Sequence, residues 1–332
     1  MRIRHPRRNM SVERKPEVWW HLPTNDQPSK GIDMIHEVAA CARELGIPGG
    51  LVADADGLGV RSASEVVAAA KPGDILFLHF VRASGRPPWA AEWPGAKWVF
   101  VQGASTLMTA LAGDATGREG QDFAGAWAVM PHLVALCERW LAPRAGVHLV
   151  PPCHKPELAA ADMRKAWGAR QPGLVLFPKA MYTALGQTDH TLLTAVLTET
   201  CRTHGWRLTQ LRGLSPLQVQ RTFADARLFI NTNTIESLNA TVIEAMAAGC
   251  VVHTYSAIGG RDFLRDGWNA RVFENLEVFQ QLDAAIALIE GEPSAVAAAE
   301  TMQINGWTTA AQFSRQRTKD AVARWYNNCI ST

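Results

Sequence analysis

The sequence has little of several things that would narrow its role at once. Its charges nearly cancel, with 33 Lys and Arg against 31 Asp and Glu, so the formal charge is +2 over 332 residues. A chain so balanced gives no electrostatic reason to expect a nucleic-acid partner. No apolar run approaches the roughly 18 residues that span a bilayer as a helix. The six cysteines, at 41, 137, 153, 201, 250 and 329, are scattered and form no Cys-x-x-Cys pair. That pattern fits reduced thiols in a cytoplasmic protein rather than a disulfide framework. Low-complexity segments and short-period repeats are absent as well.

The opening "MRIRHPRRNMSVERK" is basic but lacks the apolar stretch of a signal peptide. Two readings fit it: a solvated tail, or a weak electrostatic tether. The tether would hold a cytoplasmic protein at the anionic inner face of the membrane. If Met10 is the true start, most of the arm falls away.

What is present is ordinary for a soluble globular protein: 47% apolar and 19% charged residues, which excludes disorder for the bulk. The length allows two domains of about 150 residues each. "VWWHL" (18–22), "DILFLHF" (74–80), "KWVFVQ" (97–102) and "VHLVPP" (147–152) read as strands. Helical patterns lie between them in "GIDMIHEVAACAREL" (31–45) and "PHLVALCERWL" (131–141). The alternation restarts after Pro151-Pro152: "GLVLFPK" (173–179), "WRLTQL" (206–211), "RLFIN" (227–231) and "CVVHTY" (250–255) are strands. "HTLLTAVLTETCRTHG" (190–205), "LSPLQVQRTFADA" (214–226), "NLEVFQQLDAAIALIE" (275–290) and "PSAVAAAETM" (293–302) are helices. Repeated strand–helix alternation implies parallel strands with helical crossovers. The expected fold class is therefore α/β, with two facing Rossmann-like, doubly wound domains and a cleft between them. The expected boundaries are 1–152, 153–305 and a C-terminal segment 306–332, whose helix, read over 308–326, crosses back to the first domain.

One stretch concentrates polar chemistry: "IESLNATVIEAMAAGC" (235–250) follows the strand "RLFIN" and opens a helix that Gly249 ends. A strand-to-helix turn leaves the first N–H groups of the helix, near Asn239 to Val242, as donors for a phosphate. Glu236 sits ahead of that end and Glu244 about one turn inside it. A sugar–diphosphate–nucleoside satisfies all three features. By spacing alone, both glutamates also read as exposed helix charges near a positive helix end.

The longer segment "ESLNATVIEAMAAGCVVHTYSAIGGRDFLRDGWNARVF" (236–273) resembles the donor-site signature of retaining GT-B glycosyltransferases of the family 4 type. Glu236, Glu244, Ala245, Met246, Gly249, Gly259, Gly260, Asp266, Gly267 and Asn269 match in order. Two positions depart from the pattern. A glycine of the loop is replaced near Asn239, a residue that tolerates positive φ, and a hairpin glycine is Ala270. The resemblance implies further roles. Glu236 would bind the donor sugar, and Glu244 the ribose. Ser237, Leu238, Asn239, Ala240 and Thr241, with Gly31, Gly259 and Gly260, would surround the nucleotide sugar. Lys179, at the end of "LVLFPKA", would neutralise the diphosphate. Either His79 or Gln102 would approach the donor sugar. The implied activity is retaining, metal-independent transfer from a nucleotide-diphosphate sugar to a saccharide or lipid-linked saccharide. Its setting would be bacterial polysaccharide, lipopolysaccharide or glycoconjugate synthesis. No cofactor is implied.

Other readings compete. A degenerate, non-catalytic nucleotide-sugar-binding subunit and a sugar-nucleotide epimerase share the architecture. Asp54-x-Asp56 resembles a metal-binding triplet. "GLGVRS" (57–62) partly mimics a dinucleotide-binding turn but lacks its third glycine and the acidic residue after the next strand. Trp89 and Trp93 in "RPPWAAEWPG" read as an acceptor-side stacking platform or as hydrophobic anchors of their loop.

Overall fold

Apolar runs bounded by turn residues assemble into two parallel sheets. The structure, a computed structural model, describes residues 14–23, 30–54, 60–79, 87–104, 107–108, 123–153, 164–177, 184–233, 236, 238–274 and 277–331. The first sheet contains β1 (Val18–Leu22), β2 (Gly49–Ala53), β3 (Arg61–Ser62), β4 (Ile75–His79), β5 (Ala96–Val101), β6 (Gly125–Ala128) and β7 (Val147–Leu149). Their order is β3-β2-β1-β4-β5-β6-β7, and every pairing is parallel. The helices α1 (Lys30–Glu44), α2 (Ala63–Ala69) and α3 (Pro131–Trp140) connect these strands. All five residues of β1 are buried, as a strand covered on both faces requires.

Register builds an aromatic row across this sheet, because Trp20 stands opposite Phe77 and Phe77 opposite Trp98. Trp127 of β6 joins it, 4.2 Å from Phe77 between ring centroids.

The second sheet contains β8 (Gln171–Phe177), β9 (Arg207–Gln210), β10 (Ala226–Asn231), β11 (Val251–Tyr255) and β12 (Arg271–Phe273), in the order β12-β11-β10-β8-β9. It is parallel throughout. Its helices are α4 (Ala184–Thr203), α5 (Pro216–Asp225), α6 (Ala240–Ala248), α7 (Val278–Glu290) and α8 (Pro293–Ala310). Helix α5 starts at a reciprocal capping box, in which Ser215 and Gln218 each bond the other's backbone N–H.

The segment read as one helix over 308–326 is two. Helix α8 ends at Ala310, and Ser314 turns to an extended backbone at φ −78°, ψ 153° before α9 (Arg315–Ile330) begins. Helix α9 lies on the first sheet's helix α1. Arg315 pairs with Glu44 at 2.7 Å and with Glu37 at 3.2 Å. Trp325, 1% exposed, enters the aromatic row with ring centroids 4.7 Å from Trp127 and 5.2 Å from Phe77. The Tyr326 hydroxyl donates to the Pro16 carbonyl at 3.0 Å. Among the described residues no helix is long and apolar enough to cross a membrane. All six cysteines are free thiols.

Candidate functional site

The site is built around the start of helix α6. Strand β10 ends at Asn231, a fully buried amide. Its Nδ2 donates to Asn239 Oδ1 at 3.3 Å and to Thr254 Oγ1 at 3.0 Å, and its Oδ1 accepts the Asn233 N–H at 3.3 Å. This one side chain therefore ties the strand end to the helix start. Asn239 occupies the helix N-cap at φ 50°, ψ 44°, the left-handed region that asparagine tolerates. Its side chain makes no capping bond, and its Nδ2 is buried with no hydrogen-bond partner.

The sequence reading placed free helix donors from Asn239 to Val242. The structure narrows that range, because the Val242 N–H is taken by the Asn239 carbonyl at 3.0 Å. The first-turn donors that remain are those of Ala240 and Thr241, with the orphaned Asn239 amide beside them.

The far end of α6 is fixed just as firmly. Gly249 caps it at φ 88° and donates to Ala245 and Met246 carbonyls. A Cβ on Gly249 would stand 2.8 Å from Arg170 Nη1. Buried Arg170 donates to the carbonyls of Phe223, Ala226 and Ala248, placing a cation where the helix dipole is negative.

Helix α6 is buried from Val242 to Ala248, and Glu244, 6% exposed, is a carboxylate inside it. With Ala240, Ile243 and Leu238 it lines a cavity of about 260 Å³ whose opposite wall is α1, at Asp33, Met34 and Glu37. The cavity thus lies between the two sheets' helices. Carboxylates on both walls suit ligand hydroxyls, which donate hydrogen bonds, and not phosphates. Glu236 is half-buried ahead of the helix, and its carbonyl accepts the Gly259 N–H at 2.9 Å. That bond joins the Gly259-Gly260 turn to the Glu236 loop. Both glycines are buried, and a Cβ on Gly260 would stand 2.5 Å from Leu264 Cδ1.

The remaining matched residues hold the following hairpin. Asn269 Oδ1 accepts the Arg265 N–H, and its Nδ2 donates to Phe263 O and Thr309 Oγ1, each at 2.8 Å. Ala270 is fully buried, and its carbonyl accepts the Gly267 N–H at 2.9 Å. Ser237, Lys179 and Asp56 lie outside the described residues.

Across the cleft, Gly31 opens α1 against two candidates at once. Gln102 Nε2 donates to the Gly31 carbonyl at 3.1 Å. A Cβ on Gly31 would stand 2.9 Å from Gln102 Oε1 and 3.7 Å from His79 Cε1, so a side chain there would have to displace the Gln102 amide. The structure therefore brings His79 and Gln102 together rather than choosing between them. Burial pushes His79 down to about 3, with Gln102 opposing the shift and His21 adding to it. The imidazole is neutral at physiological pH.

Sequence reasoning missed His21. Along the carboxyl edge, four neighbouring strands present polar groups: Asp54 after β2, His21 in β1, His79 ending β4 and Gln102 after β5. His21 Nε2 lies 3.3 Å from Asp54 Oδ1, and burial lowers its pKa despite the neighbouring carboxylate. Trp89 Nε1 donates to the same oxygen at 2.6 Å. Trp93 is 4% exposed and anchors its loop, whereas Trp89 is half-buried. Among the described residues no group of three or more His, Cys, Asp or Glu is arranged to hold a metal ion.

No protein-family model matches the chain. No curated protein matches it in sequence. Solved structures do match its fold. A glycosyltransferase from Rickettsia africae ESF-5 superposes with a TM-score of 0.66 at 12% identity, covering 95% of this chain and 99% of that one. Anabaena Alr3699/HepE, crystallised with UDP-glucose, gives 0.66 at 12% identity over 94% of this chain and 99% of that one. The alpha,alpha-trehalose 6-phosphate synthase of Burkholderia multivorans gives 0.65 at 9% identity over 96% and 99%. The chain has the GT-B architecture: two Rossmann-like parallel-sheet domains with a cleft between them.

Proposed function

We propose that this protein is a retaining glycosyltransferase that moves a sugar from a nucleotide-diphosphate sugar to a hydroxyl acceptor. The observation that carries the reading is the start of helix α6. A left-handed Asn239 with an orphaned amide stands at an uncapped helix end, with Glu236 before it and Glu244 inside the interdomain cavity. Helix N–H groups and the dipole would hold the diphosphate. Glu244 would accept from ribose hydroxyls and Glu236 from those of the donor sugar. The solved neighbour Alr3699/HepE carries UDP-glucose in its crystal, which makes uridine donors the first to test. The acceptor would be a saccharide or lipid-linked saccharide of a bacterial polysaccharide or glycoconjugate, and the setting cytoplasmic.

In the reaction the anomeric C–O bond to the diphosphate breaks and a bond forms to the acceptor oxygen on the same face. The acceptor proton passes to a departing phosphate oxygen. Charge that builds on the diphosphate would be met by Lys179 and by the Ala240 and Thr241 N–H groups, which the helix orients before the bond breaks. Neutral His79 and Gln102, facing Gly31, would border the donor sugar.

A thermal-shift panel of UDP-, GDP-, ADP- and TDP-sugars tests donor binding, since a ligand of the native state raises apparent stability. One donor should stabilise the protein, and none doing so defeats the reading. Glu236→Gln should cut turnover far more than nucleotide affinity, because its partner is the reacting sugar. An inverted anomeric centre in the product NMR spectrum would overturn retention. Turnover lost in chelator and restored by Mn²⁺ or Mg²⁺ would overturn metal independence.

A further inference from the structure

We propose that Asp54, His21 and Trp89 form a subsite for a neutral saccharide, the acceptor of the reaction. This inference rests on the glycosyltransferase reading above and assigns its second substrate a place. Three chain segments far apart in sequence converge here. Asp54 follows β2, His21 lies in the adjacent β1, and Trp89 belongs to the short helical turn Pro88–Glu92. Asp54 Oδ1 accepts the Trp89 N–H at 2.6 Å, and His21 Nε2 lies 3.3 Å from the same oxygen. The indole meets the imidazole edge-on, with centroids 5.5 Å apart. The indole and the carboxylate are thus fixed relative to each other.

Trp89 packs against the apolar core and is left half-buried. Trp93, 4% exposed, already anchors the loop. The Asp54 side chain is 38% exposed, and its contacts with Trp89 and His21 both engage Oδ1. A carboxylate oxygen open to solvent accepts ligand hydroxyls. An indole held beside it offers an apolar face to ring C–H groups. A sugar combines both chemistries in one molecule. A phosphorylated or otherwise anionic group would meet the Asp54 charge and be repelled. The subsite lies on the carboxyl edge that also carries His79 and Gln102, so a sugar held there faces the cleft.

Saturation-transfer NMR with methyl glycosides of glucose, galactose, mannose, rhamnose and N-acetylglucosamine, in the presence of UDP, reads the site directly. At least one glycoside should bind the wild-type protein. Asp54→Asn keeps the side-chain shape but removes the charge, and should weaken that binding by about tenfold or more. Trp89→Ala should do the same. Trp89→Phe keeps a ring but loses the N–H, and should fall between. Calorimetric affinity for the nucleotide sugar should be unchanged in all three. Saccharide binding that survives both Asp54→Asn and Trp89→Ala overturns the subsite. So does a wild-type protein that binds nucleotide sugar but no glycoside of the panel. Failure to take any nucleotide sugar instead overturns the transferase reading, and with it the acceptor role.

Discussion

Replacing Asn231 by alanine removes the amide that joins the end of β10 to the start of α6. The side chain is fully buried and makes three hydrogen bonds, at 3.0, 3.3 and 3.3 Å. A net bond contributes about 0.5–1.5 kcal/mol. Two of these exceed the preferred length, so each belongs near the lower bound. The sum is about 2 kcal/mol, and the loss leaves the Asn233 N–H and Asn239 Oδ1 without this partner. Against a typical stability of about 5–15 kcal/mol, the variant still folds.

The functional consequence is separate from the stability loss. Asn239 sits at φ 50°, ψ 44°, a conformation that costs a non-glycine residue about 1–2 kcal/mol. Without Asn231 nothing in this network holds it there, and the helix entry can relax. Donor affinity should then fall by about five- to thirtyfold, the same energy expressed as a ratio. Asn239→Gly is the companion, because glycine adopts that backbone freely, and the double variant should recover part of the affinity. Urea unfolding and calorimetry with the stabilising nucleotide sugar give the two readings. A stability change under about 0.5 kcal/mol would show that the network contributes little. Lost stability with unchanged donor affinity would refute the positioning argument.

Other outcomes follow from the same geometry. Glu244→Ala should weaken donor binding by about 1.5–3 kcal/mol, one charge-assisted hydrogen bond, with the fold retained; unchanged calorimetric affinity refutes the ribose role. Trp325→Ala should destabilise the protein by about 3–5 kcal/mol, because it empties a site enclosed by Phe77, Trp98 and Trp127. A small change in the urea midpoint would mean that α9 docks elsewhere. His253 is buried in β11 of the second sheet, and burial, with Arg271 adding to it, pushes its pKa from 6.5 down to about 3. The unfolded chain then binds the extra proton, so stability falls as pH drops below 6.5, by up to about 1.4 kcal/mol per pH unit. His253→Leu should flatten the profile between neutral and mildly acidic pH, and identical slopes for both proteins would contradict this.

How much of this was legible in the sequence differs by element. Strands written as nearly continuous apolar runs, such as "ILFLH" and "VWWHL", were readable because a strand covered on both faces is mostly apolar. Gly49–Ala53 was not, since two glycines open it and "DADG" follows. Gly125–Ala128, "GAWA", is too short and small to show any pattern. The break at Ser314 was hidden because helical periodicity continues on both sides of it. At the site, Glu236, Asn239 and Glu244 are close in sequence, so their spacing showed in one line of text. Asp54, His21 and Trp89 are brought together by strand order, and linear spacing carries no trace of that. Asp54 was visible only as half of an Asp-x-Asp pair, and its partners in the fold are instead an imidazole and an indole.

The contacts between the halves explain why motion of one domain would reach the chemistry of the other. On one side α9, continuous in chain with the second domain, is fastened to the first through Arg315, Trp325 and Tyr326. Thr318 also donates to the carbonyl of Pro151, in the linker, at 2.8 Å. On the other side Asp262 completes a helix of the first domain. Met130, the N-cap of α3, has no side-chain capping bond. Asp262 Oδ2 accepts the His132 N–H at 3.3 Å and lies 2.7 Å from His132 Nδ1. A carboxylate at a helix start is favourable in itself, so this contact stabilises the apposed arrangement. Asp262 ends the turn Ile258–Asp262 that also contains Gly259, whose N–H holds the Glu236 carbonyl. Separating the domains at His132 would therefore pull on the short turn that positions Glu236. The helix end at Asn239 is anchored instead to β10 and β11, within the second domain. In the proposed reaction, nucleotide binding and sugar positioning would thus depend on different supports: the first on one sheet, the second on the two domains meeting.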